Sequence, residues 1–228
     1  MAAEAVLAKV DPRAYAASRN HLDGAVTRLS PYIRHGVLSL DEVRNAALAS
    51  VGDPKQAEKF IQELAWRDYW QRIYLAHPER IWTDVESYKT GFDAAEYDAE
   101  LPADIAAGET GVACIDQFIA TLVETGYLHN HARMYLASYT VHWRRVSWQA
   151  GARFFLEHLV DADPASNNLS WQWIASTFSN KPYIFNLENV AKYCGPDINT
   201  IPRHNLVLDQ SYERLRELLF PHMVGPHG

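Results

Sequence analysis

The stretch Gly126-Tyr127-Leu128-His129-Asn130-His131-Ala132-Arg133-Met134, with Asp161-Ala162-Asp163-Pro164-Ala165-Ser166-Asn167-Asn168-Leu169-Ser170-Trp171-Gln172-Trp173 a short distance downstream, decides the reading of this 228-residue chain. Each half carries helix punctuation. Gly126 stops one helix before the next begins near His131, and Asp163-Pro164 places a cap ahead of proline at a helix start. An amide, a guanidinium, two carboxylates and two indoles fall within this stretch. That inventory suits an acidic heteroaromatic ring with a redox task.

Outward from this centre the apolar spacing stays helical. Ile115, Phe118, Ile119 and Leu122 share one face of a helix over about 114–125. Helices are predicted over 131–143, 148–159 and 164–177. Upstream, Ser39 and Glu42 form a capping box opening a helix to about Val51. Asp53-Pro54 opens another, which runs to about His77 and ends at Pro78. Residues 79–110 read as a long polar surface connection, and the chain after Pro182 as irregular until Gln210–Leu219. No period-2 run of strand length and no internal repeat occurs. The predicted fold is all-α, a single domain over residues 1–228.

Composition narrows the classes. Hydrophobic residues make up 48% and charged residues 21%, an ordinary globular balance. The net charge of −7 argues against a protein that coats nucleic acid non-specifically, while leaving room for a local basic groove. Cys114 and Cys194 have no CxxC partner and read as reduced thiols of a cytoplasmic protein. Met1–Leu7 has neither a basic nor an apolar signal region, and no apolar run is long enough to span a membrane. Seven tryptophans and twelve tyrosines fit a large aromatic core, or an aromatic cofactor with redox-active neighbours.

Four constellations carry chemistry. Tyr15 and Arg19 precede Thr27-Arg28-Leu29-Ser30-Pro31-Tyr32. Hydroxyls and free backbone N–H groups beside a cation ahead of a helix suit a pyrophosphate, and they also read simply as a Ser30-Pro31 helix start. Glu63, Trp66, Arg67 and Trp70 share a helix face, where Glu63 and Arg67 at i,i+4 make an ordinary surface pair. Asn130 and Met134 lie one turn apart, offering an amide to a heterocycle edge and a polarizable thioether to its face. Asp161 and Asp163 read as metal ligands, an acid/base pair or helix caps. Further oxygen ligands for a metal are lacking nearby, and His129 and His131 diverge at a helix start, so no metal site is predicted.

In order and spacing these segments resemble the FAD-binding helical domain of the photolyase and cryptochrome family, over about residues 12–186. The resemblance rests on Tyr15 followed by Thr27-Arg28-Leu29-Ser30-Pro31-Tyr32, on Glu63-Leu64-Ala65-Trp66-Arg67, on Thr125–Met134 and on Asn167–Trp173. It implies FAD contacts by Tyr15, Thr27, Arg28, Leu29, Ser30, Phe60, Arg67, Asn130, Arg133, Asp161, Asp163 and Asn167. There Asp161 pairs with Arg133, Asp163 accepts from the flavin ring, and Asn167 sits against its reactive nitrogen. A substrate cavity for pyrimidine dimers in DNA would be lined by Glu63, Trp66, Asn130, Met134 and Trp173, with Arg19 retained for phosphate. Asn130 and Met134 follow the cyclobutane-dimer branch rather than the (6-4) branch, which has histidines at both places. Glu63, Asn130 and an electron relay of Trp171, Trp148 and Tyr88 would serve catalysis, Tyr88 standing where the family has an outer tryptophan.

Departures accompany the resemblance. Val26 stands for a hydroxyl residue and Tyr127 for tryptophan. His131 stands for a phosphate-contacting arginine, and Lys181-Pro182-Tyr183-Ile184-Phe185-Asn186 lacks another. Leu169-Ser170 replaces two glycines, which implies a narrower cavity. Nothing matches the family's N-terminal antenna domain, and residues 187–228 follow no family pattern. The expected activity is light-driven electron transfer from reduced flavin to a pyrimidine dimer, a base-flipping reaction that would prefer single strands. The alternatives are a blue-light sensor or redox flavoprotein without repair, a flavin enzyme for a small molecule, and a helical scaffold without cofactor. Retention of Arg28, Arg67, Arg133, Asp161, Asp163 and Asn167 argues against the last. Oligomeric state is not legible.

Overall fold

A computed structural model describes residues 2–223. Among them the fold is all-α, the one piece of extended pairing being an isolated bridge between Asp98 and Val146. The helices are α1 (Ala2–Leu7), α2 (Pro12–Ser18), α3 (Ser30–Arg34), α4 (Leu40–Ala49), α5 (Glu58–Ala76), α6 (Ala103–Ala107), α7 (Ala113–Thr125), α8 (Asn130–Ser138), α9 (Trp148–His158), α10 (Pro164–Ala175), α11 (Leu187–Cys194) and α12 (Tyr212–Leu219).

The capping predictions hold at atomic level. Ser39 Oγ accepts from Glu42 N at 3.1 Å, and Glu42 Oε2 accepts from Ser39 N at 2.7 Å. Asp53 accepts from Lys55 N at 3.0 Å, although the turn it opens, Pro54–Ala57, is 3₁₀ before α5 begins. The helix expected over 131–143 is α8 continued by a π turn at Tyr139–Trp143.

Of four buried apolar clusters among the described residues, three position the site. The largest gathers α7, α8, α9 and α10 around Phe118, Tyr135, Trp148 and Phe185. A second joins the N-terminal segment, α4 and the start of α5 through Val10, Leu29, Val43 and Phe60. A third sets Trp70 of α5 against Ile81, Ala165 and Leu169. α5 therefore runs between two cores and presents its remaining face to the space enclosed with α8 and α10.

Two glycines fix this geometry. Gly126 ends α7 in the left-handed region at φ 66°, and a Cβ there would meet Val160 Cγ1 at 2.7 Å. Gly151 lies under the Trp171 indole, where an added Cβ would fall 2.2 Å from the ring. α9 and α10 thus approach closely where this indole lies on bare backbone.

Two sequence expectations need correction. Residues 79–110 are not a surface connection alone: Ile81, Thr90, Tyr97 and Ile105 are buried, and α6 lies within the segment. Single apolar anchors, pinned one at a time, leave no period to read. The chain after Pro182 is not irregular to Gln210. Asn186 accepts from Asn189 N at 3.0 Å and opens α11, whose Leu187, Val190 and Cys194 point inward. Cys114 and Cys194 are free and buried, and burial pushes both thiols up to about 12. No helix among the described residues is long and apolar enough to cross a membrane.

Candidate functional site

α5, α8, α9, α10 and the loop joining α9 to α10 enclose an open cavity of about 520 Å³, within the range of ligand sites. α5 contributes Lys59, Glu63, Trp66, Arg67 and Trp70. α8 contributes Asn130, Arg133, Met134 and Ala137. The loop adds Leu159, Asp161, Ala162 and Asp163, and α10 adds Ser166, Asn167, Ser170, Trp171, Trp173 and Ile174. Arg19 and Phe155 complete the wall.

The deep wall is ionic and cross-braced. Arg133 Nη2 donates to both oxygens of Asp161, at 2.9 and 3.0 Å, while its Nε donates to Leu128 O at 2.7 Å. Asp163 accepts from Ser166 N at 2.8 Å as the cap of α10, and its second oxygen accepts from Gln71 Nε2 at 2.6 Å. Arg67 Nη2 stands 3.7 Å from that same oxygen. Burial pulls the Arg67 guanidinium down, opposed by the charges of Asp163 and Asp161. The Arg34 guanidinium holds Ala162 O between the two carboxylates.

Lining cations (Arg19, Lys59, Arg67, Arg133) outnumber lining carboxylates (Glu63, Asp161, Asp163) by one, a balance that favours an anionic guest. Asn167 Nδ2 donates to Ala152 O at 3.0 Å and to Asn168 Oδ1 at 2.9 Å. Both amide protons are spent, which leaves its Oδ1 free to accept. Ser166 Oγ and Trp171 Nε1 are buried in the lining without partners. Orphaned donors of this kind mark a place for a polar guest.

The mouth is aromatic. Trp66 and Trp173 line it and are 51% and 42% exposed. Trp66 leans on Trp70, with centroids 5.3 Å apart, and Trp173 on Tyr183 at 5.8 Å. Glu63 does not pair with Arg67 as its spacing suggests. It is held by Arg19 at 3.3 Å and Lys59 at 2.8 Å, while Arg67 turns to Asp163. The exposed Asn130 donates to Met134 Sδ at 3.5 Å. Leu169 does not narrow the cavity. It is fully buried in the cluster behind α10, and only Ser170 of that pair reaches the wall.

The N-terminal residues stand beside the cavity rather than in its wall. Tyr15 packs edge-on against Phe60 at 5.0 Å, and burial raises its hydroxyl to about 12. Phe60 and Leu29 are core residues, so neither offers a face to a guest. Thr27 and Ser30 are half-buried at the start of α3. Arg28, at φ 52°, lies over the Tyr127 ring at 5.1 Å, and Arg133 approaches the same ring at 5.7 Å. Tyr127 thereby links this segment to the cavity.

His129 Nδ1 accepts from His131 N at 3.1 Å at the start of α8. Burial, with His131 second, lowers His129 to about 4. No group of three or more His, Cys, Asp or Glu is placed to hold a metal ion among the described residues. Behind Trp171, the fully buried Trp148 donates its indole proton to Asp84 Oδ1 at 2.6 Å. The Tyr88 hydroxyl accepts from the Trp148 backbone, and its ring stacks on Tyr97 at 4.2 Å.

Lys59, Gln71 and Ser166 are lining or bracing residues that the motif reading passes over. Lys59 and Gln71 lie four residues before Glu63 and four after Arg67, so the helical face already contained the signal.

A family model described as the FAD binding domain of DNA photolyase matches residues 60–208. The chain belongs to this family. It is 37% identical over 153 residues to the deoxyribodipyrimidine photo-lyase of Streptomyces griseus, an alignment covering 67% of this chain and 32% of that one. To the corresponding photo-lyase of Escherichia coli it is 30% identical over 176 residues, covering 72% and 35%. Among solved structures, a photolyase of Sulfolobus tokodaii holding two FAD molecules matches 97% of this chain and 55% of its own, with a TM-score of 0.74 at 25% identity. A class III photolyase of Agrobacterium tumefaciens matches 99% and 48%, with a TM-score of 0.71 at 26% identity. The chain spans about a third of the length of these curated relatives. FAD is the cofactor of this photolyase-family domain, and the cavity's surplus cation, orphaned donors and free Asn167 oxygen suit a flavin dinucleotide.

Proposed function

We propose that this protein uses FAD and light to split pyrimidine dimers in DNA. One observation carries the reading: a buried ionic wall and an exposed pair of indoles belong to the same cavity. The first suits a flavin and the second suits two stacked bases. Reduced FAD, when bound, supplies under illumination the electron that opens the dimer and receives it back.

The chain's own residues do the rest. Arg67, Arg133, Asp161 and Asp163 hold the ring by preorganised charge. Asn167 offers Oδ1 to a ring N–H, which favours the reduced form. Tyr15, Thr27, Arg28 and Ser30 cover the phosphates from the N-terminal side. Trp66 and Trp173 stack on the extruded dimer, each contributing about 1–3 kcal/mol per base. Glu63, held between Arg19 and Lys59, and Asn130 hydrogen-bond the dimer as it gains charge. Trp171 and Trp148 form the path by which oxidised flavin is re-reduced, with Tyr88 packed beyond them on Tyr97.

Single-stranded substrate is favoured. His131 stands where the family places a phosphate-contacting arginine, and burial lowers its affinity for a proton, helped by the charge of Arg19. The phosphate grip is weaker, so extrusion from a duplex is harder to offset. The same observation supports the alternative of a blue-light sensor without repair.

Illumination of the reduced, FAD-loaded protein with thymine-dimer oligonucleotides tests the proposal. Intact thymine should reappear only in light, and faster in single strands than in duplex. If neither strand form is restored, repair is ruled out and the sensor reading stands.

A further inference from the structure

Beyond the flavin cavity, a short polar contact joins the Trp148 indole to Asp84. Trp148 is fully buried, and its indole N–H donates to Asp84 Oδ1 at 2.6 Å. Asp84 is itself half-buried and also accepts from Gln149 Nε2 at 3.4 Å. Trp148 and Gly151 are three residues apart on α9 and so share a face. The Trp171 indole lies against Gly151, so both indoles lie at the same face of α9. Beyond Trp148 lie phenols, Tyr88 and its stacked partner Tyr97. Burial and the charge of Asp84 make the Tyr88 hydroxyl hold its proton tightly, so an electron leaves that ring only at high cost.

We infer that Asp84 is the proton acceptor that traps an oxidised Trp148. The inference rests on the flavin relay proposed above. Trp171, after giving an electron to photoexcited oxidised flavin, takes one electron from Trp148. The Trp148 Nε1–H bond then breaks and an O–H bond forms on Asp84. The carboxylate becomes a carboxylic acid and the indole a neutral radical. A buried cation and its facing anion are thereby replaced by two neutral groups, which the interior accommodates at far lower cost. An external thiol later returns one electron, and the proton goes back from Asp84 to nitrogen. Asp84 thus lets a relay of two indoles hold its charge without a third. It acts through Trp148 and is a positioning and proton-accepting residue rather than one that touches substrate.

Asp84→Asn tests this, because the amide keeps an oxygen for the indole N–H but is no base. Transient absorption after a light pulse on FAD-loaded protein separates the indole cation radical from its neutral form. In D84N the neutral form should arise about a hundredfold more slowly, the lower end for a positioned base. The yield of thiol-supported photoreduction should fall with it. In the dark, independently of any photochemistry, the Trp148 indole proton resonance should move in D84N, its assignment made by its loss in W148F. Unchanged neutral-radical kinetics in D84N, or an unmoved resonance, overturns the role of Asp84 while leaving the relay intact. Photoreduction in W148F equal to that of the native protein overturns the relay itself, and this inference with it.

Discussion

Asp161 meets one nitrogen of Arg133 with both of its carboxylate oxygens, at 2.9 and 3.0 Å, while the arginine's Nε is tied to Leu128 O. The guanidinium is fixed from two sides, with Asp161 almost wholly buried. Removing the carboxylate leaves a desolvated cation. Asp161→Ala should therefore lower stability by about 2–3 kcal/mol and weaken FAD binding by at least about tenfold. Chemical denaturation and flavin fluorescence titration measure the two effects separately.

The exposed indoles should behave differently. Trp66→Ala and Trp173→Ala should each weaken binding to dimer-containing single strands by about 1–3 kcal/mol. Stability should change by less for Trp173, which leans on Tyr183 alone, than for Trp66, which rests on Trp70 and Tyr69. Equal affinity for damaged and undamaged strands in the native protein would remove the basis of this expectation.

Gly151→Ala places a methyl group against the Trp171 ring. Overpacking of this kind costs about 1–3 kcal/mol. Thermal melting of the cofactor-free protein should show the loss, since the clash exists whether or not flavin is present.

Acid should destabilise the fold through buried histidines. Burial lowers His142 from 6.5 to about 3, and His129 from 6.5 to about 4. Their folded pKa values lie below the unfolded ones, so the unfolded chain binds more protons once pH drops under about 6.5. The stability these neutral rings contribute is complete above that pH and is lost as pH falls toward about 4 and then 3. His142→Gln removes one of the two groups. Its melting temperature should fall less steeply with acid than that of the native protein, and parallel slopes would refute the assignment.

The helices around the cavity are legible because each satisfies local rules that agree with packing. The Ser39–Glu42 box, Gly126 and Asp163-Pro164 announce boundaries that the structure places where the spacing does. The site is legible in its charged pairs: Arg133 with Asp161 is present as expected from the resemblance. Glu63 is the instructive exception. Its sequence neighbour at i,i+4 is Arg67, yet Arg67 turns to Asp163 on another helix, and Arg19 and Lys59 take Glu63. Local spacing names candidate partners, but competition from residues far along the chain selects among them. Segment 79–110 and α11 were obscured for related reasons. Ile81, Tyr97 and Ile105 are anchors without a period, and the Asn186 cap lies in a stretch whose proline and polar residues mask it.

Trp171 has two duties because it is laid on Gly151. The ring is a wall of the cavity and also the spacer between α9 and α10. Any drift of one helix against the other would change the depth of the cavity and the gap between the indoles together. Tunnelling rates decay exponentially with separation, so a spacer that admits no side chain at Gly151 would keep the proposed relay's gap constant. Attempts to enlarge the cavity for a bulkier chromophore would sacrifice that constancy if they began at Trp171, and should begin instead at Ser170, which also lines the wall.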